Sequence, residues 1–593
     1  MLNAPTREGG GARLLLDWLR KFSRSDSAAS GPNVDALYRQ GRDANRAGRH
    51  ADAAKMLVAA VDARPGEANF HYELGRAMRH LAEPARAVTC FRKAIELDAK
   101  HLEARIDLAA VMLSLKDPDA AEQAARAALA LDARCVAALV NLGAALQGRG
   151  EPAAAADAYR EALAIEADCA PALANLSVVC LQLGALDEAR RAAEAALRLA
   201  PADADAQLRL GNVLLEQRQP ELAAASFREA LRLRPDAAGH TAIGFAADLQ
   251  GRLDEAMDDY ARALALDAGH VQAHLNRAAV WLLRGDLARG WEEYEWRLRN
   301  AEQALLFERF ALPRWDGAPL AGRRILVFAE QGLGDEILFA SCIAEVIAQA
   351  AHCVVDCEPR LARLFARSFA KATVRGGRQT GPVDWLASVG PLDLAVPAGS
   401  LPKFLRRTPD SFPRQAGFLQ AAPERVRAWR ERLAALGPGP KIGLSWRGGV
   451  PQTGRGSRSL ALEELLPVLR QPGCTFVNLQ YGRNAEEVAA LQAEHGVHVH
   501  HFQEAIDDYD ETAALVCALD LVISVCTALV DLSGALGRSV WVLAPVRTDF
   551  RYGLTGETMP WYPSARVFRQ ARYGEWRSVL DAVVSALREK FPS

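Results

Sequence analysis

Cysteine is scarce in this chain, with ten in 593 residues and no C-x-x-C pair. That argues against zinc ribbons, thioredoxin-type redox sites and a disulfide scaffold, so the thiols read as reduced and mostly buried in a cytoplasmic protein. A surplus of either charge is also missing: 71 Lys and Arg stand against 73 Asp and Glu, a formal charge of -2. No global field therefore draws nucleic acid or an anionic membrane, although a local basic pocket remains open. No uninterrupted apolar run reaches the ~18 residues of a spanning helix. The short patch Leu14-Leu15-Leu16 is broken by Asp17 and Arg20 and makes no signal peptide. No Ser-His-Asp constellation, H-E-x-x-H or full G-x-G-x-x-G occurs. What remains is half apolar and a quarter charged, the balance of a soluble globular chain. At about 150 residues per domain the length allows about four domain-sized units.

After an N-terminal extension, residues 1–32, the chain repeats itself to about residue 300. Segments ending in Pro65, Ala99, Ala133, Ala167, Pro201 and Pro235 recur every 34 residues; a seventh ends one residue early near Ala268, and a degenerate eighth runs to about Leu298. In each, a small residue closes one apolar stripe (Gly41, Gly75, Ala109, Gly143, Ser177, Gly211, Gly244) and an alanine opens the next. Leu57, Phe91, Tyr159, Phe227 and Tyr260 follow, placed to fill the space that the small residues leave. This pattern resembles the tetratricopeptide repeat, which implies helical hairpins stacked into a right-handed superhelix with a concave groove. Such a groove is a bed for an extended peptide or a partner protein; a spacer or self-association surface is the alternative. The last repeat turns aromatic, in Trp281, Trp291, Tyr294 and Trp296, which reads as packing onto the next domain. Residues 301–323, with Pro313 and Trp315-Asp316-Gly317, read as a linker.

From residue 324 the pattern becomes strand, turn, helix. Strands are expected at 324–329, 353–357 and 372–374, with helices at 336–350 and 360–370, giving a Rossmann-like domain over 324–422. A charged helix, 423–436, and the hinge Gly437-Pro438-Gly439-Pro440 lead to a second domain, 441–593. Its strands are expected at 441–446, 475–479, 497–500, 521–525 and 540–544. Two such halves place a cleft at the C-terminal ends of their strands.

Three segments carry candidate chemistry. Gly332-Leu333-Gly334-Asp335 follows a strand and opens a helix, so Asp335 reads as a helix N-cap or as a ligand-facing carboxylate, two readings that are compatible if it points into the cleft. Ser445-Trp446-Arg447-Gly448-Gly449, with Arg455, Arg458 and Ser459 beyond it, suits an anionic group such as a diphosphate. Val525-Cys526-Thr527 ends a strand, and Thr527 is placed to cap a helix whose positive end favours phosphate. His495, His498, His500 and His501 cluster without enough further ligands for zinc, and a strand end near the cleft is the better reading. Asp507 to Thr512 reads as an acidic helix start.

Together with Trp561-Tyr562-Pro563 and Phe568-Arg569-Gln570, these segments resemble the bacterial tetratricopeptide-repeat glycosyltransferases. Their catalytic half is similar to heptosyltransferases and, more distantly, to the O-linked N-acetylglucosamine transferase. The resemblance implies an all-α repeat superhelix followed by a GT-B fold of two α/β Rossmann-like domains. It also implies an inverting, metal-independent transfer of sugar from a nucleotide-sugar co-substrate to Ser or Thr of an acceptor protein, plausibly flagellin. By position, Asp335 becomes the general base. Gly332, Gly334, Trp446, Arg447, Gly448, Arg458, Ser459, Cys526, Thr527, Asp531 and Gly534 become the donor and phosphate site. The family usually has Asp-Thr and His-Leu-x-Gly where this chain has Cys526-Thr527 and Asp531-Leu532-Ser533-Gly534. A carboxylate at 531 opposes a leaving phosphate unless an arginine pairs with it. The alternative is therefore a noncatalytic repeat scaffold with a degenerate transferase half.

Overall fold

The computed structural model describes residues 33–377, 383–414, 417–449 and 458–592, so the N-terminal extension and Arg455 lie outside the described residues. The chain divides into two compact units between Arg209 and Leu210.

The first unit consists of helix pairs, from Val34–Arg46 and His50–Ala63 to Ala170–Leu183 and Leu186–Leu199. Three of the second helices start at proline: Pro84, Pro118 and Pro152 occupy first-turn positions where a missing N–H costs nothing, and the Asp117 side chain accepts the Ala120 N–H. The pairing rule is one of volume. A Cβ at Gly75 would lie 2.6 Å from the Phe91 ring, and one at Gly143 2.5 Å from Tyr159. Where the residue sixteen positions on is only Ala125 or Ala193, the small position relaxes to Ala109 or Ser177, and all four are buried. The rule continues in the second unit, where a Cβ at Gly244 would lie 2.7 Å from Tyr260.

The second unit carries the remaining repeat helices, from Pro220–Leu233 to Leu287–Tyr294, together with both sheets. The first sheet contains β1 (Arg324–Phe328), β2 (His352–Cys357), β3 (Thr373–Gly376) and β4 (Leu394–Pro397), all parallel in the order β3-β2-β1-β4. The second contains β5 (Lys441–Ser445), β6 (Thr475–Asn478), β7 (Val499–His501), β8 (Leu521–Val525), β9 (Val540–Ala544) and β10 (Ala565–Arg569). Its order is β10-β9-β8-β5-β6-β7, also parallel throughout. Numbered within the sheet this is 3-2-1-4-5-6, the doubly wound order, and its switch point falls between β5 and β8.

Several expectations change. β4 and β10 were not read from the sequence. The helix expected at 336–350 is two, Leu333–Ala340 and Ile343–Gln349; at the break the Ser341 carbonyl accepts Arg406 Nη2 at 3.0 Å. The segment 301–323 is more than a linker: it forms the helix Ala301–Glu308 and then lies along β4, where Trp315 N–H donates to Ala395 O and Ala395 N–H to Pro313 O, each at 2.9 Å. Gly437–Pro440 is not a free joint either. The preceding helix, Pro423–Ala434, packs on Tyr509–Ala518 of the second sheet's half, and Lys441 Nζ donates to the carbonyls of Gly437 and Gly439 at 2.6 and 2.9 Å.

The last repeat docks through part of its aromatic set. Trp291 is 1% exposed, lies edge-on to Phe339, Phe550 and Trp561, and donates from Nε1 to Arg406 O at 2.9 Å. Arg297 reaches Glu330 at the end of β1 and Ser400 after β4. Trp281 and Trp296 do not join them. They border a separate surface pocket, Trp281 flanked by Arg277 and Arg289 and Trp296 stacked on His274.

Gly143→Val should destabilise its repeat by about 1–3 kcal/mol through overpacking against Tyr159, read as a lower unfolding midpoint. The loss caused by Gly143→Val should be smaller in a Tyr159→Ala background than in wild type; strictly additive losses would refute the volume rule.

Candidate functional site

At the switch point of the second sheet, β5 and β8 are paired with Ser445 opposite Ser524. The backbone after β5 is fixed by Gln480, whose Oε1 accepts the N–H groups of Trp446 and Arg447 at 3.0 and 2.8 Å. Gly448 N–H donates to Ser459 Oγ at 3.1 Å, and the Arg458 stem passes within van der Waals distance of a Cβ built at Gly448. That Cβ would also lie 3.0 Å from Cys526 O, a tighter contact than side chains ordinarily make, so glycine suits this approach. After β8, Thr527 Oγ1 accepts Leu529 N–H at 3.2 Å and caps the helix Ala528–Ala535. Gly448, Arg458, Ser459 and Thr527 thus come together at one helix N-terminus, a place suited to an anion. Arg218, from the repeat helices, donates to Ser459 O at 3.0 Å and ties this loop to the array.

Other predicted residues sit elsewhere. Trp446 is fully buried in the core, its Nε1 donating to Glu487, and offers no face to a ligand. Arg447 pairs with Glu487 at 2.6 Å and lines a different space, a cavity of about 830 Å³ bordered also by Arg360, Tyr481, Arg483 and Tyr509. The Cys526 thiol is buried toward Leu543 O, and burial pushes it up to about 12. Gly534 is a packing residue whose missing Cβ makes room for Tyr562.

Across the cleft, Asp335 stands in the first turn of Leu333–Ala340, whose N-cap is Gly332, so the capping reading of Asp335 does not hold. Its Oδ1 instead accepts from Arg551 Nη2. Arg551 also donates from Nη1 to Asp531 Oδ2 and from Nε to Asp549 Oδ1, both at 3.0 Å. The arginine that a carboxylate at 531 requires is therefore present. Gly334 allows the approach, since a Cβ there would lie 2.9 Å from Asp531 Oδ2 and 3.3 Å from Ala528 Cα. Burial pushes the Asp531 carboxyl up to about 7, with Arg551 opposing the rise. The neighbouring Glu336, buried and accepting Glu358 N–H at 2.9 Å, is pushed up to about 8 by burial.

The acidic segment at 507–512 is a helix start, with Asp508 accepting Asp510 N–H. It is also a second tie between the α/β halves, because Arg363 pairs with Asp508 at 2.7 Å and Arg367 with Asp510. His498 and His500 share a face of the edge strand region, 3.2 Å apart, while His501 bonds to Asn478 and Gln503. No group of three or more metal-binding side chains occurs among the described residues.

Residues 38–101 and 181–238 match one tetratricopeptide-repeat model, and 135–165 another. The helical half is a tetratricopeptide-repeat array. Protein FlbA of Caulobacter vibrioides is 37% identical over 328 residues, 53% of this chain and 54% of the relative. The chain thus spans about half the length of that curated relative. Among solved structures, Pseudomonas aeruginosa pilF is 22% identical with a TM-score of 0.32, covering 36% of this chain and 96% of that one. YrrB, described as a tetratricopeptide-repeat protein with an unusual peptide-binding site, is 21% identical with a TM-score of 0.27, covering 31% of this chain and 96% of that one. No helix among the described residues is long and apolar enough to cross a membrane.

Arg551, Glu487 and Gln480 were missed in the sequence because nothing near them in the chain marks them; only the unpaired look of Asp531 pointed to a cation. Asp531→His should cost about 1–3 kcal/mol at pH 8 by leaving the buried Arg551 Nη1 without its acceptor, measured by denaturant unfolding; unchanged stability would remove Asp531 from the pairing. Glu336 ionises in the unfolded chain in the ordinary carboxylate range but near 8 when folded, so its stabilising contribution is complete at low pH and lost as pH rises toward 8. Thermal midpoints of wild type should fall between pH 5 and 9, and Glu336→Gln should flatten that slope. An unaltered slope would show that Glu336 ionises normally.

Proposed function

We propose that the chain is a protein O-glycosyltransferase of GT-B type, its repeat array selecting an acceptor polypeptide and its α/β halves transferring sugar from a nucleotide-sugar. The observation that carries this reading is the meeting of the Thr527-capped helix N-terminus, at the switch point of a doubly wound sheet, with a carboxylate, Asp335, from the opposite half. In the reaction an acceptor hydroxyl attacks the anomeric carbon and its proton passes to Asp335. The bond from that carbon to the phosphate oxygen breaks, and the electron pair leaves with the nucleotide. Arg458, Ser459 and the helix N-terminus stabilise the charge that develops there. Arg447, Arg360 and the exposed Tyr481 line the neighbouring cavity, which is large enough for the nucleoside portion.

Transfer needs no metal in this scheme, since fixed positive groups take the leaving charge. The ten unpaired cysteines and a nucleotide-sugar donor suit the cytoplasm, and flagellin is the acceptor that the family resemblance favours. A second reading, a repeat scaffold whose transferase half no longer turns over, is favoured by the buried Cys526 thiol where the family has a carboxylate.

Both are separated by thermal shift of the full chain against UDP, GDP, CMP, ADP and their sugar conjugates. A ligand at a hundredfold excess over its Kd adds about 2.7 kcal/mol to stability. One nucleotide should shift the midpoint selectively, Arg447→Ala should weaken the shift, and Asp335→Asn should keep the shift while abolishing nucleotide release. Silence across the panel would favour the scaffold.

A further inference from the structure

We propose that Arg551 is the positioning residue for Asp335, fixing Oδ1 of the base across the cleft so that Oδ2 is presented to the acceptor hydroxyl. This role rests on the transferase reading. Three observations carry it. First, every nitrogen of the guanidinium is committed to a carboxylate, on Asp335, Asp531 and Asp549, and the residue is 8% exposed, so the fork has one orientation. Second, the turn that bears it is itself anchored. Asp549 accepts the Arg551 main-chain N–H at 3.2 Å and caps the short helix Phe550–Tyr552, while Phe550 packs edge-on against Trp291 of the last repeat at 5.3 Å. Third, only one oxygen of Asp335 is used, and Oδ2 makes no hydrogen bond among the described residues, with the side chain about a third open to solvent.

The charge balance fits a positioning role. A lone arginine on a general base would hold the carboxylate but oppose proton uptake by it. Here Asp531 and Asp549 sit on the same guanidinium and offset its charge, so Arg551 can orient Asp335 without presenting an uncompensated cation to it. In this arrangement Asp531 is one of three carboxylates whose charge and hydrogen bonds make a buried arginine tolerable. Its presence where the family has histidine then goes with a rebuilt site, not a lost one.

The test measures nucleotide release by the full chain from UDP-N-acetylglucosamine, GDP-mannose and CMP-N-acetylneuraminate, with water or protein as acceptor. For whichever donor wild type turns over, Arg551→Gln should lower kcat by about a hundredfold, the scale set by misplacing a catalytic group, with donor KM within about threefold. Added methylguanidinium should restore at least about tenfold of the loss in Arg551→Ala. Should Arg551→Gln not fold, Arg551→Lys retains the cation against Asp531 and Asp549 but not the fork, and should still lose about tenfold or more in kcat. A folded variant with kcat within threefold of wild type would overturn the role. So would a loss carried mainly by donor KM, because Arg551 would then bind the donor. Absence of both thermal shift and release by wild type across the UDP, GDP, CMP and ADP sugar conjugates overturns the transferase reading itself, and the role with it.

Discussion

A repeat hairpin cannot end in water without leaving its apolar face bare, and the second unit is organised around that constraint. The last pair, Val271–Leu283 and Leu287–Tyr294, has no following repeat to cover it. Trp291 meets the need by inserting between Phe339 of the first α/β half and Phe550 and Trp561 of the second. Because one indole touches both halves, covering the end of the array also fixes where the halves stand relative to the last repeat. Arg297 on Glu330 and Arg547 on Asp248 add buried charges to the same seam. Such pairs stabilise little by themselves, yet they penalise any arrangement that separates them, because each would leave a buried charge unpaired.

The same logic runs through the cleft. Glu330 stands in the loop after β1, just ahead of Gly332, Gly334 and Asp335. Its carboxylate is 3% exposed and held by Arg297 and by Gly399 N–H, so it is the joint between the repeat array and the first sheet. Asp335, five residues later, is the group of that segment left facing the opposite half. The first sheet's switch-point loop thus has two ends with different work: one binds the array, the other reaches across the cleft.

Much of this was legible before any coordinates. The 34-residue period, the small residue at Gly75 or Gly143 and the aromatic sixteen positions on are local patterns set by helix geometry, and each is found in contact. The strands β1, β2, β5, β8 and β9 read as short apolar runs because parallel strands are buried on both faces. β4 and β10 escaped because Leu394–Pro397 ends in proline and Ala565–Arg569 carries two arginines, so neither looks apolar enough. The helix cap at Thr527 was visible since capping is a local preference. Arg551 was not, because the partners that define it lie 216 and 20 residues away in the chain, and long-range charge pairing leaves no periodic trace. Trp446 misled for a related reason: the next residue, Arg447, is partly exposed, but alternation at the strand end turns the indole into the core.

The substitutions at 526 and 531 bear on whether the site has decayed. A decayed site accumulates changes that are neutral for folding, and burying a carboxylate is not neutral unless a cation comes with it. Asp531 is buried against helix Leu333–Ala340 of the opposite half, at the one point where Gly334 leaves room, and Arg551 meets it with its remaining nitrogens committed to Asp335 and Asp549. These groups share one hydrogen-bond and charge network, so substitutions among them are expected to be energetically coupled and not additive. Cys526 differs, since a buried thiol just after β8 behaves as a small apolar side chain and asks for no charged partner. Cys526 is part of the core, whereas Asp531 belongs to a polar cluster whose groups come from both α/β halves.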